Sequence, residues 1–172
     1  MPLIANAPTE FNINNLVKAL ALTVLIISTN GCTTLHMEFK NKHKIELEVL
    51  EEFKGLAEAV ESLDADRYFE YFDKEKFTGL NADGTVWHSM DKLEALISSG
   101  FPMVEKNLSL EFNKVKVTAI NPTTVILVNE YKQSLLLKNG NVIEQAGGGT
   151  QVWSKFNGAW KLVSASASEV SH

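Results

Sequence analysis

Thr150-Gln-Val-Trp-Ser-Lys-Phe-Asn-Gly-Ala-Trp-Lys-Leu-Val-Ser-Ala-Ser-Ala-Ser168 is the stretch that decides the fold. At its centre stands Asn157-Gly158, a two-residue hairpin signal, because both residue types tolerate the positive φ that a tight antiparallel turn demands. Asn139-Gly140, 18 residues earlier, repeats the signal. The two turns join Thr123–Lys138 to Asn141–Phe156 and then to Ala159–Ser168. Along Thr123–Lys138, Val125, Leu127, Tyr131, Leu135 and Leu137 alternate with Glu130, Lys132 and Ser134, which is the period of a strand with one buried face.

Upstream, after Pro102, Leu108, Leu110 and Phe112 share one parity while Val115, Val117 and Ala119 hold the other. The slip near Asn113-Lys114 predicts a β-bulge and a bent strand. Before Pro102 the period changes to that of helices. Val49, Phe53, Leu56, Val60 and Leu63 recur at spacings of four and three opposite Glu51, Glu52, Lys54 and Glu58, predicting one long amphipathic helix. Asp64 is a cap for a second helix carrying Tyr68, Phe69, Tyr71 and Phe72, and Ser89 opens a third that Gly100 would stop. Between these lie extended pieces around 77–80 and 85–87, joined by Asn81-Ala-Asp-Gly84. Three helices followed by a four-stranded antiparallel meander of long, bent strands make an α+β domain whose sheet wraps the first helix and leaves a conical hollow.

Composition narrows what such a domain does. The chain has 172 residues, with 16 Lys and Arg against 21 Asp and Glu, a net charge of −5 and a single Arg, Arg67. Scattered lysines among acids are unsuited to a phosphate backbone, which argues against nucleic acid. One cysteine, Cys32, excludes an internal disulfide and a multi-thiolate metal site, and the four histidines, His36, His43, His88 and His172, have no metal-ligand spacing. No metal and no cofactor are expected.

The amino terminus carries the run Ala19-Leu-Ala-Leu-Thr-Val-Leu-Ile-Ile27, preceded by Lys18 and followed by Ser28-Thr-Asn-Gly31-Cys32. It is shorter than the roughly 20 apolar residues that span a bilayer and reads as an export signal. The arrangement resembles a bacterial lipoprotein signal, in which the cysteine thiol is acylated. On this reading residues 1–31 are the signal, 32–44 a polar tether and 45–170 the domain, held at the membrane of the cell envelope through lipidated Cys32. Synthesis from Met37 would instead give a cytoplasmic domain.

The hairpin stretch 150–168, with Leu63-Asp-Ala-Asp-Arg-Tyr-Phe-Glu-Tyr-Phe72 leading to Asn81-Ala-Asp-Gly-Thr-Val-Trp87, resembles the nuclear transport factor 2-like superfamily. That superfamily includes SnoaL-like cyclases, ketosteroid isomerases, scytalone dehydratase and a kinase association domain. The resemblance implies a cone of three helices in a curved sheet, and it implies catalysts, binders and oligomerisation domains alike. The association-domain pattern has an Arg where this chain has Gln151, and two His where it has Ser164 and Ser166. The ionisable residues of the isomerases fall near Leu56 or Ala57, Leu80 or Asn81, and Val152, none of which titrates.

The candidate ligand pocket is therefore Tyr68, Phe72, Trp87, His88, Asn129, Tyr131, Gln133, Gln151 and Trp153. Asn129, Tyr131 and Gln133 share the parity of Val125 and Leu127, so two amides face either a hollow or a wet dimer interface. His88 is the candidate general acid or base, weighed against a plain place at the start of a helix. Gly147-Gly-Gly149 is expected to relieve crowding at a bend, since a phosphate loop would need a Lys and a Ser or Thr. Asp64, Asp66, Asp73 and Glu75 are expected to cap helix ends. The expected function is a non-catalytic envelope module binding a small, largely apolar molecule or a protein partner. The alternatives are an isomerase, cyclase or dehydratase using His88 with Tyr68 or Tyr131, and a structural homodimer.

Overall fold

A computed structural model describes residues 41–170. The signal, Cys32, Met37, His36 and His172 lie outside the described residues, as does most of the expected tether. Helix α1 covers residues 41–61, and so includes the last four residues assigned to the tether. It turns Val49, Phe53, Leu56 and Ala59 inward. Ala59 takes the buried place expected of Val60, and Leu63 lies beyond the helix, in the turn that ends it. There the Asp64 N–H donates to the Ala59 carbonyl and the Leu63 N–H to that of Val60, with Leu63 at φ 58°. These are the two bonds of a Schellman motif, with leucine at the position glycine usually takes. The left-handed backbone costs an L-residue about 1 kcal/mol or more.

Helix α2 (Ala65–Glu70) is capped by the Asp64 carboxylate, which accepts from the Arg67 N–H at 3.0 Å. Helix α3 (Met90–Gly100) is capped by Ser89, as expected. Gly100 does not stop it: at φ −77° it stays right-handed, and the chain runs on into a 3-10 turn, Phe101–Met103. Pro102, which has no N–H to continue the ladder, ends the run.

The sheet contains β1 (Thr78–Leu80), β2 (Val86–Trp87), β3 (Val104–Asn121), β4 (Thr124–Leu137), β5 (Val142–Phe156) and β6 (Ala159–Glu169). Its order is β2-β1-β6-β5-β4-β3. The meander from β3 to β6 is antiparallel as expected, but the sheet as a whole is mixed, because β1 lies parallel to β6 with Gly79 opposite Ala165. The predicted bulge falls between Asn113 and Lys116, with Lys114 at φ 50°. A second irregularity between Asn107 and Ser109 carries Leu108 out to solvent, so it does not share the inward face of Leu110 and Phe112.

The two hairpin signals resolve differently. Asn157 and Gly158 both have positive φ, 50° and 86°, as the mirror-image two-residue turn requires. At Asn139-Gly140 only Gly140 is left-handed, at 86°. Residues 138–140 form a three-residue loop closed by Leu137 N–H to the Asn141 carbonyl, and the Asn139 side chain accepts from the Asn141 N–H.

The inward face of the sheet divides in two. Towards the β3–β4 and β5–β6 turns, Val125, Leu127, Trp153 and Leu162 pack with Val49, Phe53, Leu56, Phe72, Phe77, Met90 and Leu93 into a dry core. Farther along the same face, the register sets Asn129 beside Gly149 and Ala167, and Tyr131 beside Gly147 and Glu169. The polar and small residues of the domain's interior are gathered in this second half. Among the described residues no helix is long and apolar enough to cross a membrane.

Candidate functional site

Four aromatic rings run in series from α2 to β2. Tyr68 stands 4.9 Å from Phe72, Phe72 5.1 Å from Phe77, and Phe77 6.5 Å from Trp87. Gly79 makes the last step possible: a Cβ there would come within 2.5 Å of the Ala165 carbonyl and 3.0 Å of the Trp87 ring. Phe69 and Phe101 add edges against Tyr68 at 5.5 and 6.1 Å. Desolvation alone holds the proton of the Tyr68 hydroxyl far above the usual phenol range. It has no hydrogen-bond partner among the described residues, and the residue as a whole is half-buried.

On the sheet, Asn129 is 7% exposed and sits on the inward face as its parity requires. Its amide fills the space over Gly149, where a Cβ would come 2.9 Å from Asn129 Oδ1. Tyr131 crosses Gly147 in the same way and donates its hydroxyl to the Ser168 carbonyl at 3.3 Å. Burial, followed by the Glu169 charge, raises its pKa. The glycine run thus serves close approach of strands and side chains, the structural role expected of it. Gln151 accepts from the Trp153 indole N–H at 3.0 Å, and Trp153 is wholly buried. Gln133 lines a different space, a polar cleft of about 330 Å³ with Ser109, Glu111, Lys132, Ser134 and Glu144.

His88 is exposed, one residue past Trp87, whose ring turns in to Phe77. The structure records no contact from it to Tyr68 or Tyr131. Of the acidic residues expected at helix ends, Asp64 caps α2 and Asp66 lies in its first turn, whereas Asp73 closes a turn outside any helix: it accepts from the Glu75 and Lys76 N–H groups and from Lys76 Nζ, which together hold its carboxyl below the usual range against the pull of burial. Among the described residues no group of three metal-ligating side chains is brought together.

Two features were not anticipated. Asn107 buries both amide atoms without a partner among the described residues, opposite Leu135, and such a group costs about 1–3 kcal/mol. Nothing in its polar local sequence marks it, because the irregularity that follows it decides which way it points. The second is an apolar cleft of about 370 Å³ walled by Leu63, Ala65, Ile97, Ser98, Phe101 and Pro102. Its residues come from four separate elements, and no local period links them.

The helices on one face of a mixed, open sheet define an α+β protein of the NTF2-like class. Residues 49–171 match the SnoaL-like domain family, and the chain belongs to it. None of the curated proteins matches. Among solved structures it is similar to a candidate dehydratase of the NTF2-like family from Streptomyces avermitilis, at 15% identity over 76% of this chain and 99% of that one, with a TM-score of 0.66. An NTF2-like protein from Cytophaga hutchinsonii matches at 17% identity over 71% and 95% of the two chains, TM-score 0.59. The association domain of CaMKII from C. elegans matches at 17% over 74% and 98%, TM-score 0.62. At these identities the likeness is one of fold.

Proposed function

We propose that the protein is a non-catalytic binding module of the bacterial cell envelope, tethered through lipidated Cys32, whose interior takes a small, largely apolar molecule. The observation that carries this reading is Tyr68: desolvation raises the pKa of its phenol and no described residue hydrogen-bonds it, yet the residue keeps some accessible surface. A side chain that is both desolvated and accessible borders an interior space. Asn129 is a second neutral polar group, on the inward face of the sheet. A phenol and a carboxamide in apolar surroundings favour a neutral guest with one or two polar atoms.

His88 stays a candidate for the enzymatic alternative, but its exposure sets it apart from the desolvated phenol of Tyr68. Acid–base work needs both groups within hydrogen-bond reach of one substrate. Native mass spectrometry of the gently purified full chain tests the binding reading. A retained small molecule, lost in Asn129→Leu, is the expected result, and a chain that never carries one counts against it. For the tether, Cys32→Ser should move the protein from the membrane to the soluble fraction. A wild type that is already soluble and unacylated refutes it.

A second reading, a homodimer through the outward face of the sheet, is favoured by that face's composition. Thr78, Leu80, Ser164, Val152, Thr150 and Ile126 form an uncharged patch on it, bordered by Lys116 and Glu130. Charge-poor faces of β-branched and small residues suit a self-complementary contact.

A further inference from the structure

The polar cleft of about 330 Å³ lies on the other side of the sheet from the interior. Two rows of the register build it. Ser109, Ser134 and Glu144 stand side by side on β3, β4 and β5, and Glu111, Lys132 and Ala146 do the same one row along. Phe112 and Tyr131, the chain neighbours of Glu111 and Lys132, belong to the inward face, so the period of two sends both rows outward. The outward face of a sheet that wraps helices is ordinarily convex. Here β3 carries a register shift on either side of the two rows, between Asn107 and Ser109 and between Asn113 and Lys116, and each such irregularity bends and twists the strand. The cleft opens between them.

Its charges stand around a space rather than against each other. The register sets Glu111 directly opposite Lys132, with Cβ atoms about 5 Å apart, and Glu144 on the far side of β4. Even so, neither carboxylate pairs with the ammonium, and the side chains of Ser109, Glu111, Lys132, Ser134 and Glu144 make no hydrogen bond among the described residues. Next to the cleft, Lys114 and Glu130 do close, at 2.7 Å.

We propose that this cleft binds a free α-amino acid carrying a second cationic group, of the lysine or ornithine kind. Its carboxylate meets the Lys132 ammonium and the Ser109 and Ser134 hydroxyls, and its two ammonium groups meet Glu111 and Glu144. Two carboxylates and one ammonium leave the cleft one negative charge in excess, which a ligand with two cations and one anion neutralises. Spacing selects the same class. Glu111 and Glu144 flank β4 from its two sides, which puts their Cβ atoms about 12 Å apart at the usual strand spacing and rise. Side chains reaching inward from both narrow that gap to the span between the two ammonium groups of an extended lysine. The site shares no wall with the interior and stands whether or not the interior takes a guest.

Isothermal titration calorimetry of the full chain at low ionic strength tests the proposal, with L-lysine, L-norleucine and L-lysinamide as probes. L-lysine should bind. L-norleucine, which lacks the second cation, and L-lysinamide, which lacks the carboxylate, should each bind about tenfold more weakly, roughly what one charge-assisted hydrogen bond contributes. Lys132→Met should weaken L-lysine about tenfold without weakening L-lysinamide, because it removes the partner of the carboxylate together with a cation that repels the rest. Glu111→Gln should weaken both, and Glu130→Gln, outside the cleft, neither. Absence of saturable L-lysine binding, L-norleucine bound as tightly as L-lysine, or an unchanged L-lysine affinity in Lys132→Met overturns the proposal. All three substituted side chains are exposed, and equal melting temperatures of the variants separate a lost affinity from a lost fold.

Discussion

Gly147 is the residue whose side chain matters most by being absent. A Cβ there would run into the Ser168 carbonyl of the neighbouring strand and come 3.0 Å from the Tyr131 hydroxyl. Gly147→Ala must therefore push β5 from β6 or eject the Tyr131 ring. A loss of about 2 kcal/mol is expected, read as a lower midpoint in urea, and an unchanged midpoint would contradict the close approach. Glu48 makes the opposite kind of contribution. Its carboxylate accepts from Lys155 Nζ at 2.7 Å and from the Trp160 indole N–H at 2.9 Å, tying α1 to the last hairpin. Those two bonds, the Lys155 one first, hold its pKa below the usual carboxylate value. Because the folded pKa is the lower one, the stabilisation is present above the unfolded value of about 4.3 and is lost as pH falls through the folded one. Melting temperature should drop more steeply below that pH in the wild type than in Glu48→Gln, and parallel curves would remove Glu48 from the acid response.

At the scale of elements, the sequence was legible wherever a local pattern carried the physics. The period-two runs, the Asp64 and Ser89 caps and the parity slip at Lys114 each name their own structure, because the cause lies within a few residues. The failures have the opposite origin. Leu108 leaves the inward face because of a register shift against β4, which only the partner strand defines. Gly100 sits where a stop belongs, yet Pro102 decides the ending by permitting one more 3-10 turn. Asn139 and Asn157 read alike as dipeptides, and the strands flanking each decide which of them becomes left-handed. For the site the same rule holds. Asn129 and Trp153 follow from parity, whereas the Leu63–Phe101 cleft is assembled from pieces with no shared period and was invisible to it. His88 shows the limit of reading chemistry from residue type, since its neighbour Trp87 turns in and it turns out.

The whole molecule has two sheet faces with different tasks. The inward one is divided between a dry core and a half bearing Asn129, Tyr131 and the glycines; the outward one is poor in charge around Thr150 and Val152. If two copies meet there, Thr150→Glu sets like charges face to face and should convert a dimer to a monomer in light scattering, with no change in melting temperature at low concentration. A wild type monomeric at all concentrations would exclude that contact. The parallel contact of β1 with β6 carries a consequence of another kind. Thr78 hydrogen-bonds across to the strand holding Ser164, and Phe72 forms a bridge to Leu162, so the middle of the chain waits on its final segment. During synthesis, Phe72 and Phe77 therefore have no lasting cover until the last strand has left the ribosome. The helices can form early, but the fold cannot lock before β6 docks.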